Sequence, residues 1–183
     1  MLDIPRRIAV IGTAGRDKAH VMDSVLWSKM VTDLAKRIVS TDTLVSGGAA
    51  WADHLAVNAY LNNQCANLML FLPAPFLRGK FVGEYPGAGN TSNYYHKRFG
   101  LHTGVNSLKQ IELAITKGAT VEFEPVSVSC AAMFVRNKKV AACATTAIAY
   151  TFGAGSTLAD GGTWNTWKQI TADDKVHVSL ISI

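Results

Sequence analysis

The sequence predicts an α/β fold: a doubly wound, mostly parallel, Rossmann-like sheet with helices on both faces and one long loop insertion at about residues 76–105. Short apolar runs alternate with segments whose apolar residues recur every three or four positions, a pattern typical of buried parallel strands and amphipathic helices. Three strands end in glycine turns that lead into helices, after Ile11, Val45 and Phe152. Because such sheets bind ligands at the carboxyl ends of their strands, these turns also predict a binding site.

The composition is that of one globular domain spanning residues 1–183, with 49% hydrophobic and 17% charged residues, which argues against disorder. No apolar run could cross a bilayer, and the first residues lack the apolar core of a secretion signal. We therefore expect a cytoplasmic protein. The three cysteines have no paired spacing and the five histidines no metal-ligand spacing, so we expect reduced thiols, no metal and no cofactor.

The net charge of +5 favours phosphate-bearing partners. Lysine and arginine are scattered along the chain, whereas nucleic-acid surfaces usually cluster them. We expect a small-molecule nucleotide as the partner and do not expect nucleic acid or a membrane. Apolar outer faces on helices such as the one at 21–39 also favour a homo-oligomer.

The first strand, residues 7–12, closes on Gly12 and is followed by a turn at 13–17. Gly12 and Gly15 leave room above the strand end. Arg16 could place a bidentate guanidinium on a phosphate, or it could form an ordinary surface salt bridge. The helix at about 21–39 follows.

The second turn, Gly47-Gly48, lies between a strand at 43–46 and a helix at about 50–61. Glycines let a ligand approach the main chain, and the start of a helix points unpaired N–H groups and a positive dipole end at the turn. A phosphate would fit there, although an ordinary strand-to-helix turn has the same pattern. Asp53 either stabilises the first turn of the helix or accepts hydrogen bonds from a ribose or base.

A third buried strand, 67–72, is ended by prolines, and about 30 irregular residues follow it. A connection of this length is typical of a lid or binding loop. Its aromatic and basic residues suit base stacking and phosphate binding, so we predict that Tyr94, His96 and Arg98 contact the ligand. Tyr94 and its neighbour Tyr95 could equally anchor the loop by packing.

The second half of the chain repeats the alternation, with helices at 107–117, 129–143 and 164–170 and strands at 120–124, 146–153 and 175–183. Met133 and Phe134 are predicted to face the core, with Arg136 and Asn137 near the middle of their helix. Thr163 is predicted to cap the last helix after a second glycine-rich loop.

Five stretches together resemble the SLOG superfamily, which includes the LOG phosphoribohydrolases and the DNA-processing protein A fold: residues 8–16, 45–53, 134–137, 148–153 and 161–163. The resemblance implies a Rossmann-like domain that binds a nucleotide or nucleotide-derived ligand. It implies that Arg136 contacts a phosphate or a partner carboxylate. The predicted ligand-binding residues are Gly12, Thr13, Arg16, Ser46, Gly47, Gly48, Asp53, Arg136, Asn137, Gly161, Gly162 and Thr163.

The chain departs from LOG enzymes at one point: no glutamate follows Gly161-Gly162-Thr163. We therefore expect a sensor or sequestering protein for an ADP-ribose-like or cyclic nucleotide. The alternative is an N-glycosidase acting on nucleoside 5′-monophosphates, which needs a carboxylate to assist the departing base or to position water. The candidates for that role are Glu84, which is preferred, with Asp53, Glu122 and Asp160.

Overall fold

The computed structural model describes residues 5–158 and 161–183 and has the predicted α/β class. The strands are β1 Arg7–Gly12, β2 Thr43–Ser46, β3 Asn67–Leu72, β4 Phe76–Leu77, β5 Lys80–Phe81, β6 Thr120–Phe123, β7 Thr146–Thr151 and β8 Val176–Ser179. The helices are α1 Ser24–Ala35, α2 His54–Leu61, α3 Ala88–Thr103, α4 Ser107–Lys117, α5 Ala131–Cys143 and α6 Gly161–Trp167, and a 3-10 turn at Trp51–Asp53 precedes α2.

Six of these strands form one parallel sheet in the order β6-β3-β2-β1-β7-β8. The chain builds outward from β1 through β2 and β3 to β6, and then crosses to the other side of β1 for β7 and β8. The boundary between β1 and β7 is therefore the topological switch point, where a crevice opens at the carboxyl ends of the strands.

The core has two layers because side chains alternate along every strand. On β1, Ile8 and Val10 belong to a cluster that also takes in residues of α1, α2, α3 and α4, whereas Ala9 and Ile11 pack with residues of α5. Neither layer leaves the central strands exposed to water, which is why their sequences are apolar at consecutive positions.

The largest departure from the sequence prediction is at residues 76–105, which are not an irregular loop. β4 and β5 form an antiparallel hairpin, and α3 runs for 16 residues. The side chain of Asn93 joins the two by accepting from Phe81 N at 3.0 Å and donating to Phe81 O at 2.8 Å. Gly89 lets α3 approach the hairpin, since a Cβ there would lie 2.0 Å from Val82 O.

Two further predictions are wrong in detail. Thr163 lies within the first turn of α6 and does not precede the helix. Phe134 is 53% exposed, so it does not pack in the core. No helix in the described part of the chain is long and apolar enough to cross a membrane.

Candidate functional site

A cavity of about 340 Å³ opens at the switch point. Its lining comes from the first turn, from Ala49 and Asp53 just after the second turn, and from Gly161 and Gly162 at the start of α6, and α5 closes one side. The residues that line it are Ile11, Gly12, Ala14, Arg16, Ala49, Asp53, Cys130, Met133, Phe134, Arg136, Asn137, Val140, Gly161, Gly162, Thr163 and Thr166. Its volume is at the lower end of the range for small-molecule sites, roughly 300–1,000 Å³.

The first turn is packed against its neighbours. Thr13 N donates to Tyr150 O at 2.9 Å, and Ala52 N donates to Thr13 O at 3.1 Å. Gly12 has φ 148°, and a Cβ on it would lie 2.0 Å from Tyr150 O. The contacts of Gly12 and Thr13 with β7 and the 3-10 turn therefore fix this turn before any ligand is considered.

The second turn is held by buried polar groups. Gly47 N donates to Asp53 Oδ2 at 3.1 Å, and Gly48 N donates to Ser46 Oγ at 3.0 Å. Ser46 Oγ in turn donates to Asp53 O at 2.9 Å. The amides predicted to cradle a phosphate thus already have acceptors within the protein, and neither Ser46, Gly47 nor Gly48 lines the cavity.

Arg136 reaches this turn from α5. Its guanidinium donates to Gly47 O, and its Nε donates to Asn137 Oδ1 at 3.2 Å. Burial lowers the pKa of Arg136, and the Asp53 carboxylate opposes that shift. A Cβ on Gly47 would lie 2.9 Å from both Arg136 Nε and Asp53 Oδ2. The Asp53 carboxylate therefore acts on the charge of Arg136, whose guanidinium forms hydrogen bonds with Gly47 O and Asn137 Oδ1.

The third turn differs in that its glycines line the cavity. Gly161 and Gly162 line the cavity at the start of α6, together with the buried Thr163. A Cβ on Gly161 would meet no other atom within 4 Å among the described residues. Asp160, a candidate carboxylate, lies outside the described residues.

Arg16 also lines the cavity, and the groups that it contacts among residues 5–158 and 161–183 are uncharged. Its guanidinium carbon is 5.1 Å from the centre of the Tyr95 ring, and one nitrogen is 4.0 Å from Met133 Sδ. The side chain is exposed, unlike that of Arg136. Arg16 is thus a cation directed at the cavity, and the neutral groups around it do not offset its charge.

Of the predicted loop contacts, none lines the cavity. Tyr94, His96 and Arg98 belong to helix α3, where Tyr94 and Arg98 are exposed and His96 is buried. The Arg98 guanidinium donates to Tyr94 Oη at 3.2 Å. Glu84 is exposed and is not among the lining residues, so the fold does not bring it to Asp53.

A second hollow of about 440 Å³ lies on the other side of the first turn. It shares Ala14 with the cavity, and its basic lining residues are Lys18, His20, Arg98 and His102. Asp17 and Asp23 also line it, but both are engaged locally: Asp17 accepts from the backbone of residues 19 and 20, and Asp23 caps α1.

No known protein-family profile matches the chain. A search of curated proteins finds the uncharacterized protein R261 of Acanthamoeba polyphaga mimivirus, 33% identical over 184 residues, which covers 95% of this chain and 96% of the viral protein. The chain belongs to the family of R261.

Two solved structures of DNA processing protein A are similar in fold to this member of the R261 family. The Helicobacter pylori protein, described for its single-stranded DNA binding mode, has a TM-score of 0.49 and 19% identity over 91% of this chain. The Streptococcus pneumoniae protein has a TM-score of 0.49 and 14% identity over 96% of this chain. The chain spans 61% and 58% of their lengths, about three fifths of each.

The expectation that nucleic acid is not a partner is corrected by this finding, because one of the similar structures is of a protein that binds single-stranded DNA. The likeness in fold does not by itself make DNA a ligand of this chain. Single-stranded DNA nevertheless belongs among the ligands that a binding experiment has to include.

Sequence reasoning included Arg136 and Asn137 of α5 in the site but missed that Cys130, Met133 and Phe134 also line the cavity. Cys130, Met133, Phe134 and Asn137 recur at three- and four-residue spacing and line one side of it. The same spacing is the ordinary signature of a core-facing stripe, so periodicity alone assigned Met133 and Phe134 to the core. Within the described residues, no group of three or more potential metal ligands is present.

Proposed function

We propose that this protein is a SLOG-type nucleotide-binding domain, and that its cavity holds the phosphate of a nucleotide or nucleotide-derived ligand. The observation that carries the proposal is Arg16, an exposed cation at the mouth of a cavity whose other arginine faces a buried carboxylate. A guanidinium whose neighbours are neutral gains most from a bound anion, and its fork of donors matches a phosphate.

Chemistry on the nucleotide has less support. Among the described residues that line the cavity, Asp53 is the only carboxylate, and it already accepts from Gly47 N. Glu122 lies on β6 in an ion pair with Lys139, and Glu84 is outside the cavity. We therefore place binding, as a sensor or sequestering protein, ahead of N-glycosidic cleavage.

Calorimetry with adenosine 5′-monophosphate and with adenosine tests the proposal, since the two differ only in the phosphate. We expect binding of the nucleotide and at least about tenfold weaker binding of the nucleoside. Arg16→Met should weaken nucleotide binding about tenfold. Arg7→Met is the matched control, because Arg7 is exposed at the opposite end of β1. Failure of every phosphorylated nucleoside to bind would overturn the proposal.

A second candidate ligand is single-stranded nucleic acid, and the second hollow is the observation that favours it. Its lining includes one member of each of two cation–aromatic pairs: Tyr95, whose ring is below Arg16, and Arg98, which lies over Tyr94. Single strands bind to surfaces that combine positive charge with aromatic rings on which bases stack. A strand whose phosphate occupied the cavity could continue across Ala14 into this hollow.

The substitution Arg98→Met distinguishes the two candidate ligands when the binding of an oligonucleotide and of adenosine 5′-monophosphate is measured side by side. For a single strand, this substitution should weaken oligonucleotide binding severalfold and reduce its dependence on salt. For a mononucleotide confined to the cavity, it should leave adenosine 5′-monophosphate binding as in the unsubstituted protein. Fluorescence anisotropy with a labelled oligothymidylate supplies the measurement.

A further inference from the structure

The peptide carbonyls of Gly47 and Gly48 are each bound by a side chain, and the two side chains come from different layers of the fold. Arg136 on α5 donates to Gly47 O. His96 on α3 lies 2.9 Å through its Nε2 from Gly48 O. Helix α5 packs in the layer with Ala9 and Ile11, whereas α3 packs in the opposite one. The second turn is therefore held from both faces of the sheet.

The hydrogen-bond order around His96 follows from its partners. A carbonyl oxygen only accepts, so Nε2 carries the hydrogen and donates to Gly48 O. Burial lowers the pKa of His96 to about 3, which leaves the ring neutral near pH 7. Nδ1 is then an acceptor, and it receives the hydroxyl hydrogen of Ser107 at 2.8 Å. Ser107 begins α4, so the chain of bonds runs from α4 through α3 to the turn.

Gly48 needs this support because of its backbone. It has φ 66°, and a Cβ there would lie 2.4 Å from Leu72 Cδ2. Its neighbour Gly47 donates to Asp53, the carboxylate that lines the cavity and faces Arg136. A shift of the Gly48 peptide would therefore be passed through Gly47 to the Asp53–Arg136 pair.

We propose that His96 is a positioning residue for the nucleotide site: by holding Gly48 O from outside the cavity, with Ser107 fixing its tautomer, it sets the place of Asp53 and Arg136. This inference rests on the proposed function for its ligand. It differs from the sequence-based expectation for His96, which has that side chain touch the ligand directly.

Substituting glutamine or asparagine at position 96 tests the two hydrogen bonds of the imidazole one at a time. The amide nitrogen of Gln can take the place of Nε2 and donate to Gly48 O, whereas that of Asn lies near Nδ1, on the side of Ser107. We expect His96→Gln to bind adenosine 5′-monophosphate within about threefold of the unsubstituted protein, and His96→Asn and His96→Leu to bind about tenfold more weakly. If His96 only fills the core, the nucleotide affinity of each variant should follow its melting temperature, and His96→Gln and His96→Asn should have similar affinities.

The control is Leu101→Gln, which places the same amide on an exposed position of α3. This substitution should change neither the nucleotide affinity nor the protection of the second turn against hydrogen–deuterium exchange. If His96→Leu does not fold, the comparison of Gln with Asn carries the test. If the unsubstituted protein and all the His96 variants bind the nucleotide with equal affinity, the inference is overturned and the proposed function stands.

Hydrogen–deuterium exchange of the segment 46–53 without ligand gives a second readout. We expect faster exchange there in His96→Asn and His96→Leu, with His96→Gln close to the unsubstituted protein. If no nucleotide binds to any form, the proposed function fails, and exchange alone decides the positioning role. Unchanged protection of this segment in His96→Leu and His96→Asn would then overturn it.

Discussion

Gly47-Gly48 and Gly161-Gly162 are the same dipeptide at two places in the chain, the first directly after β2 and the second at the start of α6, and their surroundings differ. In the second turn, a side chain at either position would collide with Leu72, Arg136 or Asp53. In the third turn, a Cβ on Gly161 would have no atom of the described residues within 4 Å. The glycines of the second turn are thus explained by the packing of the protein itself, whereas for Gly161 no such contact accounts for the residue.

The comparison teaches that a glycine turn is evidence for a ligand only after its internal contacts are known. The amides of Gly47 and Gly48 already donate to Asp53 and Ser46. What the second turn brings to the cavity is the Asp53 carboxylate. In the proposed function, the anion is bound by Arg16, which lines the cavity together with Gly161 and Gly162.

The largest expected effect comes from the same substitution made at the two arginines of the cavity. Arg136→Met removes a cation from beside the buried Asp53 and should lower the free energy of unfolding by about 3–5 kcal/mol. Arg16→Met removes an exposed cation and should change it by less than about 0.5 kcal/mol while weakening nucleotide binding. Urea unfolding of both variants measures the difference; equal losses of stability would remove the distinction between a structural and a ligand-directed arginine.

The next effect is at Gly48. Gly48→Ala places a Cβ at φ 66° and 2.4 Å from Leu72 Cδ2, so we expect a loss of about 2–3 kcal/mol from backbone strain and overpacking. Denaturant unfolding gives the value. Adding Leu72→Ala to the same chain should recover the part of the stability that is lost to the clash, but not the part lost to backbone strain. A neutral Gly48→Ala would show that the turn is more adaptable than these contacts imply.

Acid should destabilise the folded protein through two buried histidines, His54 and His96, of which His96 binds the second turn. Burial lowers the pKa of His54 to about 4 and that of His96 to about 3, from the ordinary value of 6.5. The unfolded chain therefore binds more protons than the folded one below pH 6.5, and stability falls as the pH falls, by about 1.4 kcal/mol per pH unit for each histidine. Unfolding free energies between pH 6.5 and about pH 5 test this, and His96→Gln should roughly halve the slope. The exposed His102 is the control, since His102→Gln should leave the slope unchanged.

The smallest effect on stability is expected at Gly161. Gly161→Ala adds a methyl group that meets no described atom within 4 Å, so the free energy of unfolding should change by no more than about 0.5 kcal/mol. If the backbone there approaches a phosphate, the same methyl group should weaken adenosine 5′-monophosphate binding severalfold. Calorimetry on this variant beside Arg16→Met provides the measurement. Unaltered affinity would exclude the third turn from the contact with the phosphate.

The sequence by itself determined the fold class and all six strands of the main sheet. It also predicted a site at the carboxyl ends of these parallel strands, where such sheets bind ligands. These features depend on the spacing of apolar residues along the chain and on short-range backbone preferences. Helix α3 escaped detection because its buried side consists of Ala88, Gly89, Ser92, His96 and Phe99. Their spacing is helical, but small and polar residues give little apolar signal, and glycine, asparagine and threonine are poor helix formers.

Only the tertiary structure decided what each polar residue of the site contacts. Arg16 and Arg136 are both predicted to bind the ligand, yet Arg16 is exposed and contacts the neutral Tyr95, whereas Arg136 is buried and bound to Gly47 O. His96 lies 48 residues from the carbonyl that it binds. Such pairings depend on how segments that are far apart in the sequence pack together, and burial then fixes the protonation state and the partner of each side chain. The local sequence pattern specifies neither the packing nor the burial.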